Sequence, residues 1–228
     1  MLPFAYLYQG IIVPASVTIP IGTALSVYSR TSPSLRSIFV YLIVAGITNV
    51  IAAALAFRHM NNLPILHVYT VVELLLLLRF FYLVLPRPQV RKAIRWTAIL
   101  FPVMAVLNFL FLQDLYTFNS YIRPLEAIIL ILLCMLFLNQ QNDIDPSEDR
   151  IGDPSGNDPS GIWSDKPDFW IVIGLLLYFS SSFFQFAFSN IVSRHASFAT
   201  KMVIWNIHAS LVLVMYLLFA IAFIKCKR

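Results

Sequence analysis

Five ionisable side chains, Glu73, Arg123, Glu126, His67 and His208, interrupt long apolar runs of the sequence. An ionisable group at the centre of a membrane span costs about 2.5–3.5 kcal/mol on insertion scales, and it is kept where it faces a bundle interior, a partner charge or water. Glu73 and Glu126 are therefore the leading candidates for contact with a ligand, a proton or a cation. Asn119, Arg123 and Glu126 follow one another at i, i+4 and i+7, along one face of a helix. That spacing lets Arg123 pair with Glu126 or, across a bundle, with Glu73. Thr70 and Glu73 are spaced i, i+3, Tyr69 stands one turn before Glu73, and His67 lies about 120° around the helix from it. His67 and His208 supply hydrogen-bonding groups that titrate near neutrality. With Asn206, these residues form the candidate ligand-binding set: Glu73, Glu126, Arg123, His67, His208, Tyr69, Thr70, Asn119 and Asn206.

Two plainer chemistries compete with ligand binding. An Arg with a Glu can serve only as an interhelical ion pair, and amides and hydroxyls often bond helices together without further role. His67, His208 and Glu73 or Glu126 could together offer three ligands to a hydrolytic zinc ion. No H-x-x-x-H or H-E-x-x-H spacing supports that, and no G-x-S-x-G nucleophile occurs. Neither a catalytic residue nor a cofactor is expected, and a metal ion stays an alternative to the ligand.

The elements that must position these residues follow from composition. The chain has 228 residues, 59% of them apolar and only 12% charged, against about a quarter charged in a soluble domain. Apolar runs near the roughly 20 residues needed to cross a bilayer recur from end to end. Seven spans are expected, at about 8–28, 37–57, 63–85, 96–113, 117–138, 169–192 and 202–224. The fold class is therefore all-α, one polytopic membrane domain of seven helices over 1–228. Pro14 and Pro20 weaken the first span and Pro124 the fifth, although neighbouring helices in a membrane bundle can satisfy the freed backbone groups. The opening MLPFAYLYQG has no base before its apolar run, unlike a cleavable signal.

Charge sets the expected direction. Arg30, Arg36, Arg87, Arg91, Lys92, Arg95, Arg150, Lys166, Lys225, Lys227 and Arg228 fall on one side of such a bundle, and only Arg58, Arg194 and Lys201 on the other. The positive-inside rule then places the N-terminus outside and the C-terminus in the cytoplasm. The net charge of +5 comes from bases clustered between spans, where they meet head groups, so nucleic acid is not an expected partner. Eight of the eleven acids lie within 139–168, which reads as a flexible acidic cytoplasmic loop rich in turn formers. Cys134 and Cys226 both fall toward the inner side and predict no extracellular disulfide.

In that orientation the polar residues of six spans gather in the outer half. Odd spans carry theirs early: His67 to Glu73, Asn119 to Glu126, and Trp205, Asn206, His208 and Ser210. Even spans carry Asn49, Asn108, Gln185, Ser189 and Asn190 in the middle or second half. A water-filled cavity open to the outside would require this pattern. Arg79 is expected to snorkel toward the inner head groups, and Trp96 and Trp205 to anchor the interfaces. Aligning Glu73 with Glu126 also predicts that spans two-three and four-five are parallel repeats.

Asn62-Leu63-Pro64 followed by His67-x-Tyr69-Thr70-x-x-Glu73, with Trp205-x-x-His208-x-Ser210 and Tyr216-Leu-Leu-Phe-Ala-Ile-Ala, resembles small seven-helix membrane proteins of Bacteroidetes-type bacteria. The resemblance implies a bacterial inner (plasma) membrane and carries no assigned activity. The expected function is a receptor-like or sensory protein that binds a small polar ligand or proton in an outer-half pocket and signals through a membrane partner. The alternative is a secondary transporter or ion-coupled carrier using the same carboxylates. Among the partners, the lipid bilayer comes first, followed by a small polar ligand or cation.

Overall fold

A computed structural model describes residues 7–142 and 165–226. No strand occurs among these residues, and seven helices are long and apolar enough to cross a membrane. They are α1 (Tyr8–Arg30), α2 (Pro33–Phe57), α3 (Leu63–Val84), α4 (Pro88–Phe111), α5 (Ile122–Asn142), α6 (Pro167–His195) and α7 (Phe198–Lys225). The chain is thus a multi-pass membrane protein. Most of the acidic stretch expected to be a flexible loop, residues 143–164, lies outside the described residues.

Local sequence chemistry sets the helix starts. Pro33, Pro64, Pro88 and Pro167 occupy the first turns of α2, α3, α4 and α6, where the missing N–H costs nothing and the fixed φ is already helical. Ser32 and Ser197 accept from the backbone N–H groups of Leu35 and Thr200, capping α2 and α7. The proline at 88 carries α4 eight residues upstream of the expected start at 96. α5 instead begins five residues after its expected 117, because Asp114 and Asn119 fold the preceding segment into turns through bonds to Tyr116, Ile122 and Arg123. α2 ends in a Schellman turn, with His59 at φ 57° and Met60 N–H donating to Leu55 O.

The helix weakened by prolines is broken as its sequence implied. α1 opens with a π turn at Tyr8–Ile12, is interrupted at Ser16 and Val17, and continues over Thr18–Val27 into a 3₁₀ turn. Ser16 Oγ recovers part of the lost bonding by donating to Val13 O at 2.6 Å.

Six helices close a ring in the order α1, α2, α3, α5, α6, α7, each resting on the next and α7 returning to α1. α4 stands outside this ring, resting mainly on α3 and barely touching α5. This differs from the repeat expectation, under which α4 would pack on α5 as α2 packs on α3. The face from which α1 departs, here the N-face, also holds the α6–α7 turn: Gln9 Nε2 donates to Asn206 Oδ1 at 2.7 Å, and Tyr8 bonds Ser210. The opposite C-face joins Lys225 to Asp165 at 3.0 Å and Ser34 to Asp168 at 2.9 Å. Toward the C-face the interior is solidly apolar, with Leu42, Leu77, Phe80, Phe81, Phe219 and Phe223 fully buried.

Candidate functional site

Arg123, the second residue of α5, is the hub of the polar interior. Its Nη1 donates to Glu73 on α3 and, at 2.8 Å, to Glu126 one turn further along α5. Both pairings open to it in the sequence are therefore made at once. Its Nη2 donates to the Tyr178 hydroxyl of α6 at 3.4 Å, and its guanidinium carbon sits 4.9 Å from the centre of the Phe186 ring. Glu73 Oε1 accepts from the hydroxyls of Tyr41 on α2 at 3.1 Å and Tyr69 at 3.3 Å. One guanidinium thus ties α3 and α5 together with α6, and a carboxylate adds α2. Two carboxylates against one guanidinium leave one formal negative charge in excess. Glu73 is 2% exposed and Glu126 0%, while Arg123 keeps 16% of its side chain open.

That opening is a cavity of about 330 Å³, within the range of small-molecule sites. Its floor is Glu73, Arg123, Tyr41, Tyr178 and Tyr216, and its mouth is formed by Gln9, Leu63, Phe118 and Trp205. From Leu63 to Glu73 on α3 the wall descends about 15 Å, and from Trp205 to Tyr216 on α7 slightly more, so the cavity reaches about half-way through a bilayer core. Beneath the floor lies the apolar packing already described. The cavity is blind: open at the N-face and closed toward the C-face.

Of the nine candidate residues, seven line this space: Glu73, Arg123, His67, His208, Tyr69, Thr70 and Asn119. Two do not. Glu126 is held behind Arg123, and Asn206 is engaged at the rim by Gln9. His67 and Glu73, offset around α3, reach the same cavity at different depths; His67 Nε2 bonds Leu115 O at 2.9 Å, and its ring lies 4.4 Å from that of Phe109. His208 Nδ1 pairs with Ser182 Oγ at 3.0 Å. Thr70 Oγ1 donates to Leu66 O within its own helix. Asn119 Oδ1 accepts from the N–H groups of Ile122 and Arg123, fixing the start of α5.

Several lining residues were not among the candidates. Tyr41, Tyr178 and Tyr216 complete the floor, Asn49 and Gln185 line the walls, and Gln9 stands at the mouth. The tyrosines carried one available signal: each lies mid-span, far from the interface where tyrosine normally gathers. Trp205 faces Phe118 across the mouth, their ring centres 5.6 Å apart, rather than serving only as an interfacial anchor. The loop before α5 is pinned by Asn190, which bonds Phe118 O at 2.8 Å and Ser120 Oγ at 2.6 Å. Asn108, expected with the other polar residues, stays on α4 and bonds Gln113 instead. Arg79 reaches Ser37 on α2 at 3.2 Å.

No protein-family model, curated protein or solved structure matches the chain. What the cavity can do is therefore argued from its own chemistry. Among the described residues no three His, Cys, Asp or Glu side chains are grouped to hold a metal ion. The arrangement offers instead a charged, hydrogen-bonded floor beneath aromatic walls, accessible from one side.

Proposed function

We propose that the protein is a receptor-like membrane protein that takes up a small ligand in this cavity from the outside of the cell, without carrying it across. The supporting observation is that polar residues from six helices meet in one blind cavity ending at the Glu73–Arg123–Glu126 cluster. The described bases support the direction: Arg30, Arg36, Arg87, Arg91, Lys92, Arg95, Lys166 and Lys225 belong to the C-face and Arg58, Arg194 and Lys201 to the N-face, so the positive-inside rule puts the cavity mouth outside. The likeness of the α3 and α7 motifs to bacterial seven-helix proteins favours a bacterial inner membrane. Signalling through a membrane partner belongs to the same reading.

A one-sided binding protein and an alternating-access carrier differ in a measurable way. Ala209 lines the cavity wall and is buried from the outer surface of the bundle. In an Ala209→Cys, Cys226→Ser protein in proteoliposomes, a membrane-impermeant thiol reagent is expected to modify position 209 from the N-face side only. Labelling from both sides would sink the one-sided reading in favour of a carrier.

A further inference from the structure

Arg123 Nη1 donates to Glu73 and to Glu126, so two buried carboxylates meet at one nitrogen. Their other partners differ. Glu73 also accepts from the hydroxyls of Tyr41 and Tyr69, whereas Glu126 Oε1 has no partner among the described residues. Hydrogen bonds to a carboxylate favour its ionised form, and Glu73 is the one that has them at both oxygens.

The formal surplus must be neutralised where it lies, because an unbalanced buried charge costs more than one unmade hydrogen bond of a neutral group. Three carriers can do so: a small cation, an imidazolium or a proton. A cation has no access, since Glu126 does not line the cavity and its Oε1 has almost no accessible surface. The pair that does line the cavity, Glu73 and Arg123, is already balanced. Charging His208 of α7 would set a second cation against the Arg123 guanidinium. On the helices packed against α5, the ionisable groups acting on Glu126 are Glu73 of α3 and Tyr178 of α6, and α4 carries none between Ile99 and Phe111. Tyr41 of α2, Tyr69 of α3 and Tyr216 of α7 act on Glu73 instead. None of these is a cation. A proton needs no space.

We propose that Glu126 is a proton-binding site: it carries a resident proton at neutral pH, so that the Glu73–Arg123 ion pair at the cavity floor is backed by a neutral carboxylic acid. The proton is held rather than relayed, since Oε1 has no hydrogen-bonded neighbour among the described residues to pass it to. Charge and burial alone require it, so it stands whether or not the cavity takes a ligand.

Infrared absorption of the full chain in an ester-free detergent at neutral pH reads the proton, because a protonated carboxyl shows a C=O stretch that a carboxylate lacks. A band is expected that is lost in Glu126→Gln and shifted in frequency in Glu126→Asp, whereas Glu73→Asp leaves its frequency in place. Glu73→Gln removes the surplus and should also abolish the band, with Glu126 then ionised against Arg123. Asp168, half-buried at the C-face, is the control, and Asp168→Asn should leave the band intact. No protonated-carboxyl band in the unaltered protein would overturn the proposal and leave His208 as the balancing charge. A band that survives Glu126→Gln and vanishes in Asp168→Asn would overturn it too, as would a shift with Glu73→Asp in place of Glu126→Asp. Glu126→Asp keeps the test decisive if Glu126→Gln does not fold.

Discussion

At the residue scale the decisive arithmetic is two carboxylates sharing one guanidinium inside a low-dielectric bundle. The partners are not equivalent. Glu73 has both oxygens occupied, by Arg123 and by two tyrosine hydroxyls, whereas Glu126 Oε1 has no partner among the described residues. Removing the guanidinium leaves two buried carboxylates facing each other, so Arg123→Gln should lose about 3–5 kcal/mol of unfolding free energy. Glu126→Gln keeps an acceptor for Nη1 and removes the excess charge, so its change should stay within about 1 kcal/mol, the net value of one hydrogen bond. Unfolding in mixed micelles measures both, and equal losses would contradict the assignment of Glu126 as the surplus charge. Glu73, Arg123 and Asn119 were legible in the sequence because ionisable and amide groups in apolar runs are costly, and helical periodicity fixes which share a face. Tyr41, Tyr178 and Tyr216 carried only their mid-span depth as a signal, because a tyrosine there suits a core and a binding floor equally, and only packing distinguishes the two. Glu126 shows the converse: the cost of burial flagged it, but its depth behind Arg123 depends on how α3 and α5 meet.

At the element scale, close packing and open space are distributed unevenly among the glycines. A methyl group built on Gly174 of α6 would lie 3.0 Å from Phe219 Cε1 and 3.2 Å from Cδ1, whereas one on Gly22 of α1 meets nothing within 4 Å. Gly174 thus lets α6 and α7, the most extensively packed pair, approach each other beneath the cavity floor. Gly174→Ala should destabilise by about 1–3 kcal/mol, the usual cost of overpacking, while Gly22→Ala should stabilise by about 0.4–1 kcal/mol by restricting the unfolded chain. Thermal unfolding of the two variants side by side checks the signs, and a stable Gly174→Ala protein would show that Phe219 yields freely. The number and approximate limits of the helices were legible, because length and apolarity suffice to mark a span. Their order around the ring was not: nothing in the sequence of α4 excludes it from the cavity, and Asn108 pointed the wrong way. Helix starts were displaced where local chemistry overrode hydropathy, at Pro88 and at the turns around Asp114 and Asn119.

At the scale of the whole molecule, polar contacts are turned inward and apolar side chains outward, the reverse of what water selects. α4 states this most plainly. It is the least buried of the seven helices, and it exposes Ile99, Leu100, Val103, Leu107, Leu110 and Phe111 while contributing nothing to the cavity. A ring of six helices can enclose the site alone, so α4 is free to meet acyl chains along most of its length. A residue 52% exposed, as Val103 is, would accept lysine with little consequence if its surroundings were water. In lipid the same change near mid-span costs about 2.5–3.5 kcal/mol on insertion scales, reduced toward the ends by snorkelling. Val103→Lys should therefore impair insertion of α4 strongly, whereas Arg95→Lys, at the basic end of the same helix, should be silent. A glycosylation-site reporter of membrane insertion reads both, and a neutral Val103→Lys would mean that α4 does not face hydrocarbon. The contrast also separates lipid exposure from the cavity, since both substitutions lie on a helix that lends the cavity no lining residue, and any change in the cavity would have to arise through misassembly of the ring.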